Sequence, residues 1–181
     1  MKCTFVEEKP YTLDPATSRR FSSYVHRVRE RMDRTIAELL TEEITNPPLR
    51  RHVRSFAFVA NEALPKRKQR PKLDIIVLTD RLSETLGVSD KHRPTIRKCS
   101  LCVHEYYDIF DDVIDGDVAE GRLPEVVVTM QLLYPLTTRF LNRLGDDVVE
   151  YWTDRALTLM EAPLAGITAE PAPEQYLTVV R

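Results

Sequence analysis

Glycine and long apolar runs are both scarce in this sequence. Only five glycines occur among its 181 residues, whereas a many-stranded β fold needs glycine at its turns. No run approaches the roughly 18 to 20 apolar residues that a membrane-spanning helix requires, and the segment from Met1 to Glu8 is too acidic for a signal peptide. We therefore expect a cytoplasmic, helical protein without a membrane span.

Cysteine is scarce too, and neither sign of charge dominates. The three cysteines, Cys3, Cys99 and Cys102, are an odd number, which favours reduced thiols over a disulfide framework. The 26 basic and 28 acidic residues nearly cancel, so the overall charge indicates neither nucleic acid nor anionic lipid as a partner. Any partner has to be inferred from local clusters of side chains.

Helical periodicity, by contrast, is abundant. Between Pro15 and Ile44, apolar residues recur at helical spacing with charged residues on the opposite face, and proline or glycine interrupts each later pattern. We predict a single all-α domain over residues 1–181, a bundle of about six or seven helices preceded by an N-terminal tail at 1–14. The expected helices are 15–44, 49–64, 73–86, about 89–115, 124–144, 146–160 and one from about 173, with Pro163 in a loop before the last.

The sharpest local signal is the acidic segment that begins at Asp111. On a helix, Asp111 and Asp115 share a face with Cβ atoms about 5 to 6 Å apart, where the carboxylates repel each other unless a cation compensates. Hard oxygen ligands suit Mg²⁺, which is completed by substrate phosphate oxygens. We predict a Mg²⁺-diphosphate site with Asp111 and Asp115 as ligands and Asp112 assisting. A solvated acidic helix end is the alternative, whereas an EF-hand calcium loop fails at Val113 and Arg122.

Two other segments suggest different chemistry. The basic stretch 66–72 suits nucleic-acid phosphates, but it lacks interleaved aromatic residues. Cys99, Cys102 and His104 have a spacing that zinc can use, but no second Cys or His pair follows at ligand spacing. We therefore favour core thiols at Cys99 and Cys102, and no nucleic-acid partner.

Three spaced elements together resemble the trans-polyprenyl diphosphate synthases. Segment 66–71 is similar to the family's G-K-x-x-R-P junction, with Arg67 in place of its lysine and Arg70 matching its arginine. His104 precedes Asp111 by seven residues, as in the family pattern H-x-x-S-L-I-H-D-D. The resemblance implies the isoprenoid synthase fold and head-to-tail prenyl transfer. It also implies that Arg67, Arg70 and His104 bind isopentenyl diphosphate, while the aspartates bind an allylic diphosphate through Mg²⁺.

The resemblance also assigns a role to Tyr106 and Tyr107. They precede Asp111 by five and four residues, which places them about one turn below the metal site on a helix. In the family, bulky aromatic residues at this depth form the floor of the cavity that holds the growing chain. The resemblance thus implies a short product of about three isoprene units.

Departures from the family pattern limit the activity that we expect. Glu120 and Gly121 stand where the family has an arginine pair, which leaves Arg122 as the candidate to contact diphosphate there. The family's second Asp-rich motif does not occur before Arg181, so the resemblance covers the front part of a synthase from about Leu49. We expect negligible prenyl transfer by this chain alone. The alternative function is a non-catalytic remnant or regulatory partner that retains a diphosphate half-site.

The helix predicted to start at Pro124 indicates a further partner. Its apolar residues are expected to be largely buried, and a shortened bundle leaves such surface open to association between copies. We therefore predict a homodimer or other self-association involving Val126, Val127, Leu132, Leu133, Phe140 and Leu144.

Overall fold

The computed structural model describes residues 14–59 and 73–168, and within them the backbone forms six α-helices and no strand. A π-helical turn, Arg54–Val59, follows the second helix directly. The all-α prediction is therefore confirmed. The helices are α1 (Pro15–Glu43), α2 (Pro47–Val53), α3 (Leu73–Thr85), α4 (Arg93–Ile114), α5 (Leu123–Leu144) and α6 (Asp146–Thr168).

Capping residues explain where the first two helices begin. The Asp14 carboxylate accepts hydrogen bonds from the backbone N–H groups of Ala16 and Thr17, at 2.9 and 3.0 Å. Asn46 caps α2 in the same way by accepting from the N–H of Leu49. The sequence predicted that the second helix starts at Leu49, but α2 begins two residues earlier, at Pro47. Proline is favourable in the first turn of a helix, so the two prolines belong to α2. Residues 60–64 of that prediction lie outside the described residues.

Two glycines end α3 and α4. Gly87 and Gly116 have φ values of +66° and +73°, a conformation that L side chains rarely adopt. The residue after each glycine closes the helix end. The N–H of Val88 donates to the carbonyl of Ser83, and the N–H of Asp117 donates to the carbonyl of Asp112, both at 2.9 Å. This is the Schellman arrangement. It fixes the Asp motif in the last turn of α4.

The predicted end of the last described helix is wrong. The sequence indicated an end near Met160 and a loop at Pro163, whereas α6 continues through Pro163 to Thr168. A proline inside a helix removes one hydrogen bond, but helix propagation is cooperative and the turns on both sides retain theirs. Pro135 lies inside α5 in the same way. The helix predicted from about Pro173 lies outside the described residues.

Helix α4 is central to the packing, since it contacts α1, α3 and α5. Ion pairs between helices reinforce the bundle. Asp80 of α3 is nearly buried and accepts hydrogen bonds from Arg31 of α1 and Arg97 of α4. Glu43, at the end of α1, accepts from Arg139 and Arg143 of α5. The first cluster joins α3 to α1 and α4, and the second joins α1 to α5.

Candidate functional site

The three aspartates of the motif do not share one environment. Asp111 and Asp115 are exposed, whereas Asp112 is fully buried on the core side of α4. Asp115 is the C-cap residue, and its backbone N–H donates to the carbonyl of Asp111 at 2.9 Å. The first and third carboxylates therefore lie on the same open face, one turn apart. The role of Asp112 as an assisting ligand stays a prediction.

The carboxylate pair lies at the negative end of the α4 helix dipole. The C-terminal end of a helix carries partial negative charge from its last carbonyl groups, which disfavours an anionic side chain there. Asp111 and Asp115 occupy this end of α4. A divalent cation relieves both the repulsion within the pair and the opposition of the helix dipole.

Two more polar residues extend the face upstream of the pair. His104 and Asp108 are half-buried, and the spacing 104, 108, 111, 115 follows one side of a helix. Asp108 was missed from the sequence, although its position four residues after His104 and three before Asp111 was the available signal. The face therefore carries three carboxylates and one imidazole.

The donor set fits Mg²⁺ better than a metal that needs a complete protein cage. Among residues 14–59 and 73–168 there is no group of three or more His, Cys, Asp or Glu side chains arranged to hold a metal ion. Mg²⁺ usually keeps several waters and binds through one or two carboxylates together with substrate phosphates. Asp111 and Asp115 would be the two carboxylates of such a site.

A cluster of aromatic rings joins α4 to α5 and α6, and its member Tyr107 lies one turn before Asp111. Tyr106 contacts Tyr107 edge to face at 5.3 Å between centroids, Phe110 at 6.4 Å and Tyr134 of α5 at 5.9 Å. Tyr107 in turn lies 6.4 Å from Trp152 of α6. Burial, followed by the neighbouring tyrosines, raises the pKa of Tyr106 and Tyr107, so both phenols are neutral at physiological pH. The two predicted floor residues thus belong to a surface built by three helices.

The basic residues predicted to bind diphosphate fall into two groups. Arg122 is half-buried at the N-cap position of α5, and its Nε donates to the carboxylate of Glu125. This ion pair competes with any phosphate for the same guanidinium. Glu120, two residues before Arg122, is exposed. Arg67 and Arg70 lie outside the described residues.

The cysteines of α4 are core residues, as predicted. Cys99 and Cys102 are both buried, and burial raises the pKa of Cys99 to about 11. The pKa of Cys102 is also raised well above its ordinary value, first by burial and then by nearby Cys99 and Glu105. A protonated thiol is a poor metal ligand and a poor nucleophile. Cys99 and Cys102 therefore have a packing role in α4.

Comparisons with known proteins identified no relative of this chain. None of the helices in the two described segments is both long enough and apolar enough to cross a bilayer. The chain matches no protein-family model, no curated protein and no solved structure.

Proposed function

We propose that the chain binds an allylic diphosphate through Mg²⁺ held by Asp111 and Asp115, as a prenyltransferase-like protein of isoprenoid biosynthesis. One observation carries the proposal: Tyr107, a member of the half-buried aromatic cluster, precedes Asp111 by four residues on α4 and so lies one turn from the exposed carboxylate pair. The carboxylate pair suits a metal-bridged diphosphate, and the aromatic cluster suits an unsaturated hydrocarbon tail. A ligand with a diphosphate head and a prenyl tail matches both surfaces at once.

Each part of the surface has a distinct task in this proposal. Asp111 and Asp115 anchor the head group, and His104 can donate a hydrogen bond to the second diphosphate, that of isopentenyl diphosphate. Mg²⁺ held by Asp111 and Asp115 would supply positive charge that favours departure of the diphosphate from the allylic carbon. The aromatic faces of Tyr106 and Tyr107 exclude water and stabilise positive charge that develops on that carbon. In a catalytically complete site, the π electrons of isopentenyl diphosphate would then form the new carbon–carbon bond, and the resulting cation would lose an adjacent proton to the departed diphosphate.

A binding half-site without turnover is the second candidate. It is supported by the ion pair between Arg122 and Glu125, which engages the one basic group predicted to replace the family's arginine pair. Glu120 adds an exposed negative charge in the same loop. Both features weaken attraction for a second diphosphate without affecting the carboxylate pair.

The fluorescence of Trp152 can test whether the site recognises both the diphosphate head and the prenyl tail of the ligand. Trp152 is the single tryptophan of the chain, and its ring lies 6.4 Å from that of Tyr107. We expect a non-hydrolysable geranyl diphosphate analogue to change its fluorescence, with tighter binding when Mg²⁺ is present. Inorganic diphosphate and geraniol should each bind more weakly than the analogue. Equal affinity for geraniol and the analogue, independent of Mg²⁺, would mean that the site recognises only the tail.

Self-association is proposed through the outer face of α5. Val126, Leu133 and Phe140 are buried and Leu132 and Leu144 are half-buried, as expected for a core helix. Val127, Val128 and Tyr134 are 45%, 48% and 58% exposed, and no charged residue occurs from 126 to 138. An exposed helix face without charge is unusual and favours contact with a second copy.

Sedimentation equilibrium tests this interface. The wild-type chain should form dimers, and the double substitution Val127→Glu/Val128→Glu should yield monomers. Thr158→Glu, at an exposed position on α6, serves as the control. A wild-type chain that stays monomeric at high concentration contradicts the proposed interface.

A further inference from the structure

The first half of α1 lies at the edge of the protein core, and its N-terminal end extends beyond the core. Residues 14–23 are all exposed, and the first buried residue of the helix is Val28. Over residues 15–34 the exposed charged residues are five arginines and two acids, a net charge of +3 in a chain whose total is −2. Arg31, the sixth arginine of this segment, pairs with Asp80. The exposed arginines are Arg19, Arg20, Arg27, Arg29 and Arg34.

An aromatic residue lies among these arginines with most of its side chain in solvent. Phe21 is 58% exposed, and the half-buried Val25 lies four residues further on the same face. A shallow groove of about 270 Å³ is lined by Phe21, Ser22, Val25, His26 and Arg29. At about 100° per residue, Arg20 and Arg29 project about a quarter turn to either side of Phe21. Cationic side chains thus flank a narrow apolar strip.

We propose that this half of α1 docks on the surface of a membrane that contains anionic lipids, with Phe21 inserted between the headgroups. Helices that lie in the membrane interface combine basic side chains with a strip of Phe, Trp or Leu that enters the acyl boundary. Guanidinium groups bind lipid phosphates through paired hydrogen bonds and stay charged. A nucleic acid offers the same phosphates but no apolar layer for Phe21 and Val25. The apolar strip therefore favours lipid.

Vesicle co-sedimentation of the full chain tests the proposal. We expect binding to vesicles of phosphatidylcholine mixed with phosphatidylglycerol, weaker binding at high salt, and little binding to phosphatidylcholine alone. Arg20→Ser/Arg29→Ser should lower partitioning about 30-fold, which corresponds to about 1 kcal/mol for each arginine near an anionic surface. Phe21→Ser should lower it several-fold at unchanged charge. The matched controls are Arg51→Ser on α2 and Leu157→Ser on α6, both at exposed positions.

Two further measurements distinguish lipid from other anions. In a Trp152→Phe background, Phe21→Trp should show a blue-shifted emission on anionic vesicles, because the indole enters an apolar layer. Inorganic phosphate at equal phosphorus concentration should not displace the chain from vesicles.

Several results would overturn the proposal. One is equal binding to neutral and anionic vesicles. Another is an arginine variant whose vesicle binding equals that of Arg51→Ser, and a third is displacement of the chain from vesicles by free phosphate. If duplex RNA binds with the same arginine dependence while Phe21→Ser leaves vesicle binding intact, the patch recognises polyanions in general. Circular dichroism of each variant verifies that helicity is retained.

Discussion

Replacing Glu43 by glutamine is expected to destabilise the protein by about 1 to 2 kcal/mol. The Glu43 side chain is only 3% exposed and accepts hydrogen bonds from Arg139 at 3.0 Å and from Arg143 at 2.5 and 3.2 Å. It connects the end of α1 to α5. Breaking a fully buried ion pair costs about 3 to 5 kcal/mol, whereas exposed pairs contribute about 0 to 1 kcal/mol. Both arginines are about half exposed and can be rehydrated, which gives the intermediate value.

The pH dependence of the unfolding free energy provides an independent test of the Glu43 prediction. Burial raises the pKa of Glu43, but hydrogen bonds and charge from Arg143 and Arg139 more than offset it, so the net pKa lies below the ordinary value of 4.5. A carboxylate whose pKa is lower in the folded state stabilises the fold above its unfolded pKa. That stabilisation is lost as the pH falls through the folded pKa. The difference between wild type and Glu43→Gln should therefore be full at neutral pH and shrink in acid.

Urea unfolding at neutral and acidic pH measures both effects. Glu84→Gln is the matched control, because Glu84 makes an exposed pair with Arg81 on the same helix and its loss should change the unfolding free energy by less than about 0.5 kcal/mol. A Glu43→Gln effect no larger than that of the control would refute the reasoning. So would a difference that stays constant as the pH is lowered.

Three further predictions concern the site and its surroundings. Tyr106→Ala and Tyr107→Ala should shift binding preference, measured by competition, toward allylic diphosphates with longer tails, because each removes a ring from the proposed floor; unchanged preference in both would make them ordinary packing residues. In a Cys3→Ser variant, the thiols of Cys99 and Cys102 should react with an alkylating reagent only after unfolding, since burial raises the pKa of Cys99 to about 11. Radiolabelled isopentenyl diphosphate should be incorporated negligibly, and turnover comparable to an ordinary synthase would contradict this.

Most helix boundaries could be predicted from the sequence because local residues determine them. The helix predicted over 15–44 ends one residue from the observed α1, and that over 124–144 begins one residue from α5. Proline, glycine and capping residues mark these ends. The π-helical turn Arg54–Val59 and the continuation of α6 past Pro163 were not predictable in this way. Both depend on whether the neighbouring helical turns keep their hydrogen bonds around a local change in the hydrogen-bond pattern.

The candidate site was predictable only to the extent that it lies within one helix. The shared face of Asp111 and Asp115 follows from their spacing of four residues. The buried position of Asp112 could also have been found, because it continues the core stripe of Leu101 and Ile109. The contacts that Tyr134 and Trp152 make with the tyrosines of α4 join different helices. No local pattern specifies such pairs, since they depend on how α5 and α6 pack.

Calorimetric titration of a non-hydrolysable geranyl diphosphate analogue tests the central claim most directly. The carboxylate pair of α4 should make binding depend on Mg²⁺, and Asp111→Asn and Asp115→Asn should each remove most of that dependence. Asp33→Asn, an exposed aspartate on α1, should behave like wild type. Affinity that is unchanged by Mg²⁺ and by both substitutions would contradict the account and leave the carboxylates as a solvated helix end.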